Sequence, residues 1–257
     1  MKAFNTYINE KFQVSIDNPS IVRYKYYPTS KRELQDILWE RLAKDKNADL
    51  NDIDVSEITD MSDLFENTDP HNIDISEWDV SNVKDMEAIF FDRTNLNCDI
   101  SKWDVSNVKS LAWAFCDCKN FTGDISKWDV SNVTDMSRTF YLCKNFNSDL
   151  SDWDVSNVED MTYMFYGCTS FNRNLSKWKP IKVKNMTRTF KNCVSFTGDG
   201  LSSWDVSSVT DMQSIFYGCK KLDVNNVKNW NISPNTKTNR AFVDCPQVNQ
   251  TNRPEWY

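Results

Sequence analysis

Hydrophobic positions recur along this chain at a nearly constant interval of 25 residues. The string Trp-Asp-Val-Ser-Asn-Val begins at Trp78 and returns at residues 103, 128 and 153. A degraded form follows at residue 178, and two later forms, at residues 204 and 230, come after intervals of 26 residues. Ile53-Asp-Val-Ser-Glu-Ile is the same motif without its tryptophan, so we count eight repeats. Self-similarity at such a period predicts a repeat architecture.

Three apolar columns keep a fixed place in the repeat. A phenylalanine follows the motif tryptophan by twelve residues, and a cysteine follows that phenylalanine by three. We predict that all three columns face the interior and have a structural role. They comprise Trp78, Trp103, Trp128, Trp153, Trp178 and Trp204; Phe90, Phe115, Phe140, Phe165, Phe190 and Phe216; and Cys118, Cys143, Cys168, Cys193 and Cys219.

The spacing within one repeat predicts one strand and one short helix. Apolar residues at 125, 128 and 130 match the strand segment of a leucine-rich repeat. Met136, Phe140 and Cys143 follow at spacings of four and three, which keep one helical face inward. A single repeat cannot bury both faces, whereas stacked repeats can. The pattern therefore predicts an α/β solenoid of about 7–8 turns over residues 49–245.

The two ends of the chain lie outside the repeat. Residues 1–48 contain two short strand-like runs, at 12–16 and 21–27, and a helix predicted over 30–45. Ser30-Lys-Arg-Glu33 is a capping box for that helix. We interpret this region as an α+β N-terminal cap on which Trp39 packs, with an exposed binding role as the alternative. Residues 246–257 are polar and end in an aromatic pair, which we interpret as a loose C-terminal tail.

The full repeat resembles a known family. The pattern Asp-(Ile/Leu)-Ser-x-Trp-Asp-Val-Ser-Asn-Val-x-Asp-Met-x-x-x-Phe-x-x-Cys-x-x-Phe, over residues 49–245, is similar to BspA-like leucine-rich-repeat surface proteins in their 25-residue form. The stretch from Tyr27 to Leu34 also resembles the usual N-terminal cap of that family. The resemblance implies a right-handed leucine-rich-repeat-type solenoid with one strand per turn. It also implies binding or adhesion at a microbial cell surface, without catalytic residues.

Charge and composition argue against several other classes. Residues 1–48 carry a net charge of +3 and the remainder −10, and because an acidic body repels phosphate, nucleic acid is not an expected partner. No apolar run approaches the ~20 residues of a membrane span, so no membrane insertion is expected. His71 is the single histidine, which removes most histidine-based metal sites and nucleophile systems. We expect no enzyme activity, no cofactor and no metal.

The cysteines and aspartates have structural interpretations. Six of the eight cysteines share one column, which favours buried free thiols over disulfides; at most Cys98 and Cys116 are expected to react. Stacking would place neighbouring motif aspartates ~4.8 Å apart, close to the carboxylate spacing of retaining glycosidases. Every stacked pair meets that spacing, so we favour backbone hydrogen bonding, with calcium binding as the alternative. The motif aspartates are Asp79, Asp104, Asp129, Asp154 and Asp205.

Columns that vary between repeats are the best candidates for partner binding. Large aromatic and arginine side chains are the residues that anchor protein interfaces. A cation–π ladder that only covers the core is an equally open interpretation. A second candidate surface lies where the residues next to the motif tryptophan change from acidic to basic between one repeat and the next. The first surface comprises Trp113, Arg138, Tyr163, Arg188, Tyr141 and Tyr166, and the second Asp152, Lys177 and Lys179.

These observations lead to three hypotheses of function. The first is a non-catalytic binding or adhesion module that recognises a protein partner, or less readily a glycan, through variable columns of a rigid repeat surface. The second is a structural spacer or decoration protein in a larger assembly. The third is a carbohydrate-binding or carbohydrate-active β-helix, against which the helix-like Met-x-x-x-Phe spacing argues. The absence of a signal peptide suggests a cytoplasmic or assembly-bound protein, whereas the family resemblance suggests the cell surface.

Overall fold

The structure, a computed structural model, describes residues 24–257. The strand predicted at 12–16 lies outside the described residues. The one α-helix of the described part, α1, spans Lys31–Lys44. It begins as the capping box predicts, because Ser30 Oγ accepts a hydrogen bond from the Glu33 amide at 3.3 Å and the Glu33 carboxylate accepts one from the Thr29 amide at 2.8 Å.

Helix α1 packs against the first repeat through one apolar stripe. Leu34, Leu38 and Leu42 are buried, and Arg41 at its carboxyl end pairs with Asp52 at 2.9 Å. Trp39 follows Leu38 by one residue and therefore points off this stripe, where 59% of its surface is exposed. The prediction that Trp39 packs on the cap is wrong.

The repeats form a stack of eight coils, each coil being one 25- or 26-residue turn of the chain. One residue per coil makes an isolated parallel β-bridge to its counterpart in the next coil, so we number the coils by these residues. Coils 1 to 8 contain Asp60, Asp85, Ser110, Asp135, Asp160, Asn185, Asp211 and Lys237, respectively.

Backbone hydrogen bonds join each coil to the next. The amides of Met86, Ala88, Phe90 and Asp92 donate to carbonyl groups 24 residues later at 2.8–3.2 Å. The same four bonds recur in coils 3 to 7, with the acceptor 24 or 25 residues later, and coil 1 makes the first two, from Met61 and Asp63. Donors of one coil are thus satisfied by acceptors of its neighbour, which is why the coils are held in register.

The predicted fold class is wrong: in residues 24–257 there is neither a strand nor a sheet, and no helix recurs with the repeat. Besides α1, the helical segments of the described part of the chain are the 3-10 helices Leu201–Ser203 and Val224–Asn226. A right-handed leucine-rich-repeat-type solenoid with one strand and one helix per turn is therefore not what these residues form. Each coil is built almost entirely of turns, and its hydrogen bonds to the next coil form only isolated parallel bridges, not a continuous strand pairing.

The local backbone explains why neither the predicted strand nor the predicted helix forms. In the segment predicted as a strand, the Trp128 amide donates to the Ile125 carbonyl at 3.2 Å and Val133 to Val130 at 2.9 Å, so the backbone turns instead of extending. In the segment predicted as a helix, Arg138 and Leu142 have φ of 55° and 59°. Residues in the left-handed conformation interrupt a right-handed helix. The apolar spacing of four and three residues, at 136, 140 and 143, therefore arises from two consecutive turns.

The interior is a set of stacked aromatic rings tied to the backbone. Trp78 and Trp103 lie with ring centroids 6.2 Å apart, and Phe115 and Phe140 lie 5.6 Å apart. The indole of Trp128 donates to the Ile100 carbonyl of the preceding coil at 3.0 Å, and each other motif tryptophan donates likewise. Because each polar ring atom has a partner, these rings are buried without an unsatisfied donor.

The C-terminal residues extend this core, so the interpretation as a loose tail is wrong. The indole of Trp256 donates to the Val227 carbonyl at 3.0 Å, as the motif tryptophans do. Its ring stacks on Trp230 at 5.9 Å, and Tyr257 contacts Phe242 at 5.0 Å. Trp256 therefore occupies the next place in the tryptophan column.

All eight cysteines are free and buried, including Cys98 and Cys116, which had been expected to react. The column thiols donate to the carbonyl of the phenylalanine one coil earlier, as Cys143 does to Phe115 at 2.8 Å. Burial raises the pKa of the Cys98 and Cys116 thiols to about 12. A thiol must ionise to react, so burial and the raised pKa act in the same direction.

We therefore expect the native protein to be inert towards an aromatic disulfide reagent at mildly alkaline pH. Absorbance should show no reactive thiol before denaturation and eight in concentrated guanidinium chloride, with the unfolded sample as the control. Rapid labelling of the native column thiols would contradict this packing.

Candidate partner-binding surface

The first candidate surface follows backbone positions with an unusual conformation. Trp113, Arg138, Tyr163 and Arg188 all have φ between 55° and 59°, a region that bulky residues rarely adopt. Four residues after each of these, a second left-handed column is filled mainly by residues that tolerate this conformation. That column consists of Asn67, Asp92, Asp117, Leu142, Gly167, Asn192, Gly218 and Asp244.

The side chains of the first column stack on one another across coils. The Arg138 guanidinium lies 4.4 Å from the centre of the Trp113 ring and 4.8 Å from that of Tyr163. Arg188 lies 5.1 Å from the Tyr163 ring and donates to its hydroxyl. All four side chains are half-buried. The structure thus brings these four predicted residues together in one continuous cation–π stack.

The neighbouring column adds a second row of rings. Tyr141 and Tyr166 stack with centroids 4.7 Å apart, and Tyr163 contacts both of them, at 6.0 and 5.7 Å. The two variable columns named from the sequence are therefore one surface. Phe91 at its edge is 41% exposed and contacts the Trp113 ring at 5.9 Å.

Three residues that were not among the candidates continue the surface towards coil 8. Lys191 lies 4.3 Å from the Tyr217 ring centre, and Arg240 lies 5.7 Å from the same ring. Their positions in the two variable columns are the sequence signal that could have found them. We call the whole series the arginine–aromatic ladder, which consists of Trp113, Arg138, Tyr163, Arg188, Lys191, Tyr217 and Arg240.

The ladder is positively charged on an acidic chain. Burial, and then the like charges of Arg188 and Arg240, lower the pKa of the Lys191 ammonium. Among residues 24–257, no carboxylate forms an ion pair with Arg138, Arg188, Lys191 or Arg240. A hydrogen bond with Asp244 raises the pKa of Tyr217, so that carboxylate is held by a phenol.

The second candidate surface is internally neutralised. Lys177 pairs with Asp152 at 2.6 Å and Lys127 approaches the same carboxylate at 3.9 Å. The hydrogen bond from Lys177 lowers the pKa of Asp152. Lys179 is exposed and forms no ion pair with a described residue. Hydrogen bonds from Ser156, and then the charge of Lys179, lower the pKa of Asp154. The structure joins Asp152 to Lys177 but leaves Lys179 apart from that pair.

The motif aspartates hold turns. Asp104 Oδ1 accepts the Ser106 amide at 3.0 Å, and hydrogen bonds from Ser106 lower the pKa of Asp104. Asp79, Asp129, Asp154 and Asp205 make the same contact with the serine two residues on, at 3.0–3.1 Å. This confirms the interpretation of the aspartate column as backbone acceptors.

Residues 24–257 have neither a metal-binding cluster nor a membrane-spanning helix, but their surface has a shallow depression. They contain no cluster of three or more histidine, cysteine, aspartate or glutamate side chains suited to a metal ion. None of their helices has the length and apolarity that a membrane crossing needs. His71 lies 3.3 Å from the Asp69 carboxylate. A shallow polar depression between coils includes Asn147 and Arg173, and Arg173 Nε donates to the Asn147 carbonyl at 2.6 Å.

Comparison with known proteins finds one family. The family model described as "Mycoplasma protein of unknown function, DUF285" matches residues 37–149, 109–200 and 137–256. Together these overlapping matches cover nearly the whole chain, and their multiplicity agrees with the internal repeat. No curated protein and no solved structure matches the chain.

Proposed function

We propose, from the premise that this chain belongs to the DUF285 family of Mycoplasma proteins of unknown function, that it is a non-catalytic protein-binding module. The observation that carries the proposal is the arginine–aromatic ladder, a non-repeating surface on an otherwise repetitive molecule. Packing columns stay uniform because each coil must fit its neighbours, whereas a ligand without a 25-residue period needs side chains that differ from coil to coil.

The ladder has properties that favour binding. Its arginines are held by rings on neighbouring coils, so that they lose less conformational entropy when a partner binds. Its side chains are half-buried except for Arg240, which is exposed, and its tryptophan, tyrosine and arginine side chains are of the types that carry most of the energy in protein interfaces.

The backbone supports the same interpretation. A left-handed conformation costs a bulky residue roughly 1–2 kcal/mol. The second left-handed column avoids most of that cost by using glycine, asparagine and aspartate. The first column has tryptophan, tyrosine or arginine in coils 3 to 6 and 8, and Asp63, Ala88 and Ser214 in the others. Cation–π contacts at such sites contribute about 0.5–1 kcal/mol each. Together they roughly balance the cost of the left-handed backbone, so that they add little to the stability of the fold. We infer that these side chains also serve an external contact.

Two other hypotheses have less support. A carbohydrate-active site would need a pair of carboxylates free for acid–base chemistry, but the motif aspartates are bound to serine amides. A spacer or decoration protein would need only the stacked core and its ends, and would leave the chemistry of the ladder without a purpose. Adhesion at a cell surface rests on the resemblance of the repeat to BspA-like surface proteins, and we propose it as the setting in which such a module would act.

Binding measurements with an altered ladder test this function. In the variant Trp113→Asn/Tyr163→Asn, both replacements tolerate the left-handed backbone, so the fold should be retained while two ring anchors are lost. We expect a partner captured from host or membrane extracts by the wild-type protein to bind the variant at least about tenfold more weakly, mainly through faster dissociation. Surface plasmon resonance with the purified partner measures both rates.

Trp39→Ala is the matched control, because it removes an exposed aromatic outside the ladder. It should leave both rates unchanged, and melting curves should show that all variants are folded. Equal binding by the wild type and the ladder variant would exclude the ladder. Loss of binding only on changing α1 or the Trp256–Tyr257 end would support the spacer hypothesis.

A further inference from the structure

The arginine–aromatic ladder carries cations that the rest of the molecule leaves unpaired. Some lysines and arginines of residues 24–257 pair with carboxylates, as Arg41 does with Asp52 and Lys102 with Glu77. Others, such as Lys179, are exposed and form no ion pair with a described residue. Arg138, Arg188, Lys191 and Arg240 have rings as neighbours instead. A ring orients a cation without neutralising it, so these four charges are available to an external anion.

From this surface we propose that the partner presents an acidic, extended protein segment whose carboxylates engage the cations of the ladder. The inference rests on the proposed function and deepens it by naming the chemistry of the partner. Guanidinium groups recognise carboxylates through paired N–H donors. Since their planes are already fixed by stacking, little ordering remains to be done on binding.

The spacing of the cations matches an extended chain. Arg138, Arg188 and Arg240 lie in coils 4, 6 and 8, with Tyr163 and Tyr217 between them. Coils joined by backbone hydrogen bonds lie about 4.8 Å apart, so the arginine positions recur at about 10 Å. An extended segment advances about 3.3 Å per residue, so an acidic residue at every third position has the same period.

Acidic side chains in coil 2, beyond the other end of the ladder, disfavour an extension of such a segment. Burial, and then the charges of Asp85, Asp135 and Asp63, raise the pKa of Glu87 in coil 2. Added carboxylates there would be repelled. An acidic segment is therefore expected at coils 4 to 8, a span of about 19 Å, which corresponds to about seven extended residues.

Nucleic acid fits these features less well than a protein segment. Residues 49–257 carry a net charge of −10, and a phosphate backbone, with one charge every few ångströms, would extend beyond four cations onto that acidic surface. A protein segment can place its carboxylates at the cations alone and neutral residues elsewhere.

Fluorescence anisotropy with two synthetic peptides tests the inference. The probe is a labelled seven-residue peptide with three glutamates, one at every third position and separated by Gly-Ser, and the comparison peptide has glutamine at those positions. We expect the full chain to bind the glutamate peptide, to bind it more weakly as salt is added, and not to bind the glutamine peptide. Arg188→Gln/Lys191→Gln should weaken binding about tenfold.

The matched control is Lys102→Gln/Lys127→Gln, which removes the same charge from lysines that already face carboxylates. It should leave the affinity unchanged, and melting curves should be superimposable. Equal loss in both variants, no binding of the glutamate peptide, or tighter binding of a single-stranded oligonucleotide of equal charge would overturn the proposal. The proposed function stands or falls separately, by whether Trp113→Asn/Tyr163→Asn changes capture of a natural partner.

Discussion

Replacing Trp128 with alanine is expected to lower the free energy of unfolding by about 3–5 kcal/mol. The ring is 4% exposed, stacks on Trp103 at 6.4 Å and Phe115 at 6.0 Å, and donates to the Ile100 carbonyl. Its loss leaves a cavity in the middle of the stack and an acceptor without its donor. Because each coil contacts mainly its neighbours, the two halves of the molecule should uncouple and unfold in separate steps.

Chemical denaturation followed by circular dichroism measures the change, and Trp39→Ala is the control. Trp39 is 59% exposed on α1, so its truncation should change stability by less than about 0.5 kcal/mol. An unchanged transition in Trp128→Ala would mean that the tryptophan column does not form the core, and the burial assigned to every repeat would be wrong.

Replacing Gly200 with alanine is expected to destabilise the protein by about 2–4 kcal/mol, the combined cost of a left-handed backbone and of overpacking. Gly200 has φ of 92° and is the extra residue of a 26-residue interval, just before the 3-10 helix Leu201–Ser203. An added Cβ would lie against the Ser176 amide nitrogen, 2.7 Å from Ser176 Cα and 2.8 Å from the Leu175 carbonyl carbon. These are backbone atoms of the preceding coil, so relief requires the coils to separate.

Gly167→Ala is the matched comparison. Its φ of 72° has the same sign, but the nearest obstacle to a new Cβ is the tip of the Leu142 side chain at 2.7 Å. A side chain can move where backbone cannot, so this substitution should cost roughly 1–2 kcal/mol. Equal melting temperatures for the two variants would show that coil-to-coil contact at Gly200 is not as close as the structure has it.

The repeat period predicts which residues meet, but not the secondary structure that joins them. Stacked tryptophan, phenylalanine and cysteine columns require only that equivalent residues lie one above another, and the period alone predicts that. The apolar spacing at 136, 140 and 143 is shared by a helix and by two consecutive turns. The left-handed residues that decide between them, Arg138 and Leu142, are of types that seldom mark that conformation.

For the candidate surface, too, the sequence predicts which residues share a column but not which charges are already paired. Trp113, Arg138, Tyr163 and Arg188 could be grouped from the sequence because they occupy one column, and their stacking follows from that. Whether a charge is already paired could not be predicted, since it depends on which columns meet in space. Asp152 and Lys177 stood out by their change of sign, but they satisfy each other, whereas Arg240 and Lys191 proved to be unpaired.

The backward direction of the side-chain hydrogen bonds bears on how the chain could fold during synthesis. The Trp153 indole donates to Ile125 and the Cys143 thiol to Phe115, both in the preceding coil. The acceptor of each bond has therefore left the ribosome before its donor appears. Because domains generally begin to fold from the N-terminus during translation, each emerging coil can dock its side-chain donors on carbonyl groups already in place, with α1 and coil 1 as the first template. Its own carbonyl groups then accept the backbone amides that the previous coil had left without partners.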